Sequence, residues 1–319
     1  MGTLYIDRKE LHVKLDGNTL AFYAAGAREG LAPLGPLKRV VVVGNITLDA
    51  AVLHRCAEEN ISVVFLSGKG NRFRGMLHGS LHNNGLLRLR QYEKASTEFA
   101  RVFAAELTVA KTTAQEGLLK EALDRRADLR FPLTNALRSL ETIKSGLKSA
   151  EVTMETLRGL EGAASAAYFR AYISLFPPSL NFTGRNRRPP EDPANAMLSL
   201  CYTMLHFEMV REIEVIGLDP TIGFYHCFDY GRESLACDLV EPFRPEIDRL
   251  VWRLFRDREF TDRDFVADDA RPGCYLKKEG RKRFYPLYEE WAREMRPLFT
   301  ANVRALAGRI MDEQNLVSA

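Results

Sequence analysis

The sequence predicts an α+β protein, with a small β-strand-rich N-terminal domain at 1–85 and a larger all-helical C-terminal domain at 86–319. Apolar residues alternate with polar ones through the first domain, which is the spacing of strands. After Gly85 they recur at helical spacing instead. A chain of 319 residues that is 46% hydrophobic is also long enough to bury two cores.

Strand signals follow one another through the first domain. Residues 11–15 alternate up to the turn sequence Asp-Gly-Asn at 16–18, which predicts a hairpin. Four valines at 40–43 predict a buried strand, and a helix from about Thr47 leads to another strand at 61–66.

Helical periodicity dominates the second domain. It continues for about forty residues after Gly85, with no proline and only Gly117 as a weak point. Asp192 stands before Pro193, where it can cap a helix that begins there. Further helices are predicted over 133–147, 151–176, 193–216, 235–255 and 286–312.

Composition excludes several classes of protein. The longest apolar runs are strand-length, so no membrane segment is expected, and the N-terminus lacks the pattern of a secretory signal, so a cytoplasmic location is expected. A formal net charge of +3 is weak evidence for a polyanionic partner. Five cysteines without a CxxC pair argue against a disulfide framework, and we expect them to be reduced: Cys56, Cys201, Cys227, Cys237 and Cys274.

Carboxylates and a histidine in two segments are candidates for chemistry. Glu161 lies on a predicted helix among glycines and alanines, which allow a substrate or another backbone to approach closely. Asp238 and Glu241 are three residues apart, so both lie on one helical face, and His226 comes just before that helix. An imidazole with two or three carboxylates suits Mn²⁺ or Mg²⁺.

Two other interpretations of the second segment remain open at this point. Cys227 and Cys237 would bind zinc as thiolates, but their direct neighbours His226 and Asp238 would tend to point to other sides. The segment could also hold an ordinary hydrogen-bonded histidine beside a solvated acidic helix end.

Two basic segments are candidates for contact with a phosphate backbone. Arg185, Arg187 and Arg188 precede two prolines and so lie on a non-helical loop, where their alternative role is to pair with nearby acids. The segment 271–283 has one acid, Glu279, and we interpret it as a hairpin that turns at Glu279-Gly280. Its basic residues are Arg271, Lys277, Lys278, Arg281, Lys282 and Arg283.

The order of these segments resembles the family of CRISPR-associated adaptation integrases, the first-numbered Cas proteins, which are metal-dependent DNA endonucleases and transesterases. The resemblance covers nearly the whole chain and includes the strand-forming N-terminus LYIDRKELHVKLDGNTLAF. The other matching stretches are GLEGAASAAYF, RNRRPPEDPANAMLSLCYTML, GLDPTIGFYH, SLACDLVEPFRP and CYLKKEGRKRF. One departure is Ala114, where the family commonly has asparagine.

The resemblance implies a role for each matched position. Glu161, His226 and Glu241 would be the ligands of a divalent cation, Mn²⁺ or Mg²⁺, with Asp238 as an auxiliary catalytic carboxylate and the cysteines as bystanders. The arginine loop and the basic segment would lie near double-stranded DNA, the spacer precursor and the CRISPR repeat. The N-terminal domain would form a homodimer, and two dimers would flank the small second-numbered Cas protein.

The function implied is the insertion of short DNA duplexes into a CRISPR repeat array by phosphodiester transesterification. Two alternatives share the same residues. One is a repair nuclease that acts on DNA junctions, and the other is a non-catalytic module that binds branched DNA.

Overall fold

The computed structural model describes residues 2–68, 72–79, 84–147, 153–186, 189–226, 229–268 and 271–312. Contacts divide the chain into two compact units. One consists of Met1–Asn83 with Tyr285–Pro297, and the other of Asn84–Phe284 with Leu298–Ala319. The predicted fold class is confirmed: strands dominate the N-terminal part and helices the larger C-terminal part.

The N-terminal unit contains two sheets and one helix, α1 (Ala50–Glu58). In one sheet the order is β1-β5-β7-β8, with β1, β5 and β7 parallel and β8 antiparallel, and in the other it is β4-β3-β2-β6. The strands are β1 (Gly2–Ile6), β2 (His12–Asp16), β3 (Thr19–Ala24), β4 (Ala27–Pro33), β5 (Leu37–Val43), β6 (Thr47–Leu48), β7 (Ser62–Leu66) and β8 (Phe73–Leu77).

Local patterns predicted this unit well. The hairpin turns where expected, with Asp16 opposite Thr19 and Gly17 at a φ of 58°. The four valines of β5 are buried in the core between its parallel neighbours. The predicted helix near Thr47 begins at Ala50 instead, because Thr47 and Leu48 pair with β2 as a short strand.

The helical unit is built mainly from long helices, and a two-stranded antiparallel pair precedes the last of them. Asp192 caps its helix as predicted, since its Oδ1 accepts a hydrogen bond from the Asn195 amide at 2.8 Å. The elements are α2 (Gly85–Lys94), α3 (Glu98–Arg125), α4 (Arg130–Leu147), α5 (Met154–Ile173), α6 (Pro193–Ile216), α7 (Ser234–Val240), α8 (Arg244–Arg256), β9 (Phe265–Asp268), β10 (Arg271–Leu276) and α9 (Lys278–Met311).

Two predicted helices are each divided. The helix expected after Gly85 is interrupted at 95–97, where the Thr97 side chain accepts a hydrogen bond from the Phe99 amide and starts α3. The helix expected over 235–255 is broken at 241–243 by a 3₁₀ turn that contains Pro242.

The prediction of a hairpin that turns at Glu279-Gly280 is wrong. The two strands pair earlier, as β9 and β10, and Lys278 is already the first residue of α9. Gly280 is needed there for close packing, because a Cβ at this position would lie 2.7 Å from the Leu276 side chain. The basic residues from Lys278 onward therefore lie on a helix.

A buried carboxylate stands at the centre of the helical unit. Asp248 of α8 accepts hydrogen bonds from the hydroxyl groups of Tyr202 and Tyr168, the latter at 2.8 Å. Burial raises the pKa of Asp248 to about 6, although both hydroxyl groups favour its charged form. None of the described helices is both long and apolar enough to cross a bilayer.

We expect Asp248→Asn to remove part of the pH dependence of stability. A raised pKa in the folded state means that stability is greatest below the unfolded pKa, near 4, and falls as the pH rises to about 6. Unfolding in urea between about pH 4 and 7 should show the variant gaining roughly 3 kcal/mol on the wild type. Asp124→Asn, an exposed substitution, is the control, and an equal pH slope in all three proteins would contradict the prediction.

Candidate metal centre

Glu161 lies in the middle of α5, beside a lysine of α3. The Lys111 ammonium donates to Glu161 Oε1, and the hydroxyl of Ser165, one turn further along α5, donates to the same oxygen at 3.1 Å. Lys111 is buried, so its charge is removed from water and requires a partner. The two helices therefore meet in an ion pair.

Glu241 brings a second carboxylate to the same lysine. It follows the last residue of α7, and its Oε2 lies 2.6 Å from the Lys111 Nζ. Its Oε1 accepts a hydrogen bond from the Arg244 guanidinium at 2.7 Å. Burial opposes ionisation of Glu241, but Arg244 and Lys111 outweigh it and lower the pKa of the carboxyl to about 2.

Asp238 holds the segment that precedes α7. It is fully buried, and its Oδ2 accepts hydrogen bonds from the amides of Phe224 and Tyr225 at 2.6 and 3.0 Å. Its Oδ1 accepts from the amide and from Nδ1 of His226, at 2.9 and 2.7 Å. With both oxygens occupied in this way, Asp238 positions the histidine ring.

The bond to Asp238 also assigns the tautomer of His226. With Nδ1 donating to a carboxylate, the proton lies on Nδ1 and the lone pair on Nε2. A carboxylate behind a histidine is the arrangement that orients imidazole ligands in metal sites. Nε2 is therefore the ring atom that can bind a cation.

The backbone of residues 224–226 forms a cradle around the Asp238 carboxylate of α7, and Gly223 makes this cradle possible. A Cβ at this position would lie 2.7 Å from Asp238 Oδ2 and 2.8 Å from the backbone carbon of Ser234. Only a glycine lets the loop backbone approach α7 this closely.

The structure thus brings the predicted residues together in part. Glu161 and Glu241 converge on one ammonium, and Asp238 holds the ring of His226. As the side chains stand, no three histidine, cysteine, aspartate or glutamate residues within the described ranges are close enough to hold one metal ion.

Sequence reasoning missed two of the charged residues at the site. Lys111 and Arg244 offset the two glutamates, and Arg244 also lies over the Tyr202 ring at 4.7 Å. Lys111 stands far from both glutamates in the sequence, and its position on α3 does not indicate which carboxylates it will meet. Arg244 follows Glu241 by three residues, a spacing that could have suggested the pair.

Four of the five cysteines lie within the described residues. Burial raises the pKa of the Cys237 thiol, which makes it a poor thiolate ligand. Cys56, Cys201 and Cys274 are free thiols in the described structure, and burial raises the pKa of each. Cys227 lies outside the described residues.

Of the predicted arginine loop, the structure describes Arg185, while Arg187 and Arg188 lie outside the described residues. The Arg185 guanidinium donates to Asn195 Oδ1 at 2.7 Å and to the Ser199 hydroxyl at 3.3 Å. These donors are directed into the protein and support the start of α6.

The basic segment lies around the start of α9. Lys278 and Lys282 are exposed and one turn apart, on the same helical face. Lys277 precedes the helix, and its Nζ donates to the Arg263 carbonyl at 2.7 Å. Arg281 donates to the Leu276 carbonyl at 2.9 Å, and Arg283 pairs with Asp264.

Comparison with known proteins matches one family. A family model described as CRISPR associated protein Cas1 matches residues 4–290. A protein of Thermodesulfovibrio yellowstonii named CRISPR-associated endonuclease Cas1 1 is 49% identical over 318 residues, which cover 100% of both chains.

Solved structures agree with the sequence match. A CAS1 protein from Thermotoga maritima has a TM-score of 0.83 at 26% identity, with 100% of both chains covered. A casposase bound to integration product has a TM-score of 0.84 at 20% identity, over 98% of this chain and 92% of that one. A Cas6-RT-Cas1–Cas2 complex has a TM-score of 0.81 at 22% identity, over 98% of this chain and 35% of that one. The last two likenesses show the fold alone.

We expect Gly223→Ala to destabilise the cradle around Asp238. The added methyl group meets the Ser234 backbone, which cannot rotate away, so the free energy of unfolding should fall by roughly 1–3 kcal/mol. Urea unfolding measures the change. Gly184→Ala is the control, because a Cβ there meets nothing within 4 Å. Equal stability of the two variants would contradict the close approach.

Proposed function

The chain belongs to the CRISPR-associated Cas1 family, and on this premise we propose that it is a divalent-metal-dependent DNA endonuclease and integrase that inserts short DNA duplexes into a CRISPR repeat array. The observation that carries the proposal is the convergence of Glu161 and Glu241 on a single positive charge. Two carboxylates from separate elements repel each other in a poorly hydrated place unless a cation lies between them.

The donor set fits Mn²⁺ or Mg²⁺. Both ions prefer oxygen ligands, and Glu241 Oε2 is a buried oxygen whose charge the nearby Lys111 ammonium balances. Nε2 of His226 adds an imidazole ligand. Glu161, His226 and Glu241 would hold the ion, which would polarise a phosphodiester and lower the pKa of a bound water or sugar hydroxyl.

The surrounding residues prepare these ligands. Asp238 holds the proton on Nδ1 of His226 and fixes the ring against α7. Arg244 keeps the Glu241 carboxyl ionised and bonds its Oε1, which leaves Oε2 as the oxygen directed to the site. Glu241 would therefore be ionised, and the His226 ring would be oriented, before DNA binds.

One site of this kind supports two reactions. If water attacks the phosphorus, a strand is hydrolysed. If the 3′-hydroxyl of a DNA end attacks, its new phosphodiester replaces the one that breaks, and the target strand leaves with its own 3′-hydroxyl. One bond forms for each bond broken, so strand transfer requires neither ATP nor a covalent enzyme intermediate.

Double-stranded DNA is the proposed substrate, and the basic start of α9 is a proposed contact. Exposed ammonium groups at Lys277, Lys278 and Lys282 can neutralise phosphates, and the positive end of the helix dipole adds to their field. Lys277 and Lys282 also have partners, the Arg263 carbonyl and Glu279, but both side chains are exposed. Arg281 and Arg283 bond to Leu276 and Asp264 and would chiefly hold the segment in place. Arg187 and Arg188 remain proposed contacts from the sequence.

The proposed assembly is a homodimer through the N-terminal unit, with Cas2 as a further partner and the cytoplasm as its location. Family membership supports this proposal. A structural neighbour is also described as a Cas6-RT-Cas1–Cas2 complex.

We expect His226→Asn to abolish Mn²⁺-dependent cleavage and strand transfer while leaving the fold intact. The asparagine amide can still donate to Asp238 from nearly the position of Nδ1, but it has no atom at the position of Nε2. Turnover of branched DNA and thermal unfolding should be measured together. Substantial activity in the folded variant would rule out the metal site, and a loss of DNA binding with activity would favour a binding module.

We expect Lys278→Glu with Lys282→Glu to weaken binding to DNA of any sequence and to flatten its salt dependence. Removing two phosphate contacts should reduce the slope of log K against log salt by about 2. Fluorescence anisotropy measures the slope. The control is Lys9→Glu with Lys38→Glu, an equal change of charge at exposed positions of the N-terminal unit. An unchanged slope in the first variant would place the DNA elsewhere.

A further inference from the structure

Lys111 occupies an unusual position for a lysine of a helical core. Its side chain is buried, and its one ammonium group contacts carboxylates from two different elements, Glu161 of α5 and Glu241 after α7. It contacts Glu161 Oε1 and Glu241 Oε2, and the second is the oxygen of Glu241 that the proposed metal site would use.

A second lysine shows what a purely structural ion pair looks like in the same unit. Lys144 of α4 pairs with the buried Glu116 of α3, a single carboxylate. Neither residue belongs to the proposed metal site. Lys111 differs because it joins two carboxylates that would otherwise repel each other in a poorly hydrated place.

An ammonium and a divalent cation compete for these oxygens. At a separation of a few ångströms their repulsion is several kcal/mol even at an effective dielectric constant of about 20. A cation that binds both glutamates must therefore displace the ammonium.

We propose that Lys111 is a built-in competitor of the metal: its ammonium neutralises Glu161 and Glu241 in the metal-free protein and must leave before Mn²⁺ or Mg²⁺ binds. This inference rests on the proposed function, since it assumes the same metal site. Lys111 would then have two opposite effects. It stabilises the metal-free fold, and it lowers the apparent affinity for metal.

The consequence for affinity follows from a two-state equilibrium. If Lys111 leaves the carboxylates in only a small fraction of molecules, the apparent dissociation constant is the intrinsic one divided by that fraction. A competent fraction near 10% gives about a tenfold weaker affinity than the carboxylates alone would have. The site would then fill only when free metal is abundant.

The test is Lys111→Met, which keeps the length of the side chain and removes its charge. Mn²⁺ binding should be measured at about pH 8. Without the lysine the two glutamates repel each other, which raises the pKa of a carboxyl, and at this pH both remain ionised. The free ion can be followed by its electron paramagnetic resonance signal. We expect the dissociation constant to fall roughly tenfold or more, and the unfolding temperature in chelator to fall as well.

Two control variants separate competition from simple destabilisation. Lys111→Arg keeps the positive charge and should bind Mn²⁺ as weakly as the wild type. Lys144→Met breaks the comparable pair with Glu116, so it should lower the unfolding temperature in chelator and leave Mn²⁺ affinity unchanged.

The outcomes distinguish this inference from the function on which it rests. If wild-type protein binds no Mn²⁺, or binds it equally after Glu161→Gln, the proposed metal site fails. If the wild type binds Mn²⁺ through Glu161 and the Lys111→Met variant binds it no more tightly, the metal site stands and Lys111 is not a competitor.

Discussion

The buried carboxylate of Asp238 is the interaction on which the candidate site depends. It accepts three hydrogen bonds from the consecutive amides of 224–226 and a fourth from the His226 ring, so a segment without regular structure is fixed against α7. A buried carboxylate without these donors would be strongly destabilising, which makes the arrangement hard to replace piecemeal. Glu241 comes at the end of the same short helix. One carboxylate therefore orients the histidine and anchors the helix that carries the second glutamate.

Charge balance is the second constraint at this junction. Two glutamates are offset by two cations, Lys111 and Arg244, which occupy different oxygens of Glu241. Because each charge is largely withdrawn from water, removing any one of them leaves another without compensation. The charges of the four side chains are therefore balanced as they stand. Under the proposed function, stability without metal and affinity for metal would be opposed in the same few side chains.

At the start of α9, the difference between the predicted hairpin and the observed helix changes which basic residues share a face. On a hairpin, alternate basic residues would face opposite sides, whereas on a helix Lys278 and Lys282 share one face. Arg281 and Arg283 are drawn back toward Leu276 and Asp264. The surface offered to a phosphate backbone is consequently narrower than six basic residues suggest.

The sequence by itself determined the α+β division, the hairpin at 16–18 and the capped start of α6, because hydrophobic periods, turns and caps depend on a few neighbouring residues. Through a family resemblance it also identified the candidate ligands. It could not separate the glycine of a turn from Gly280, which is required by packing against a strand. Only the tertiary structure placed Lys111 between Glu161 and Glu241, and only it joined Tyr285–Pro297 to the N-terminal unit. Both depend on contacts between distant segments, and the physical reason is the same: a buried charge takes its partner from whichever element packs beside it, not from its neighbours in the chain.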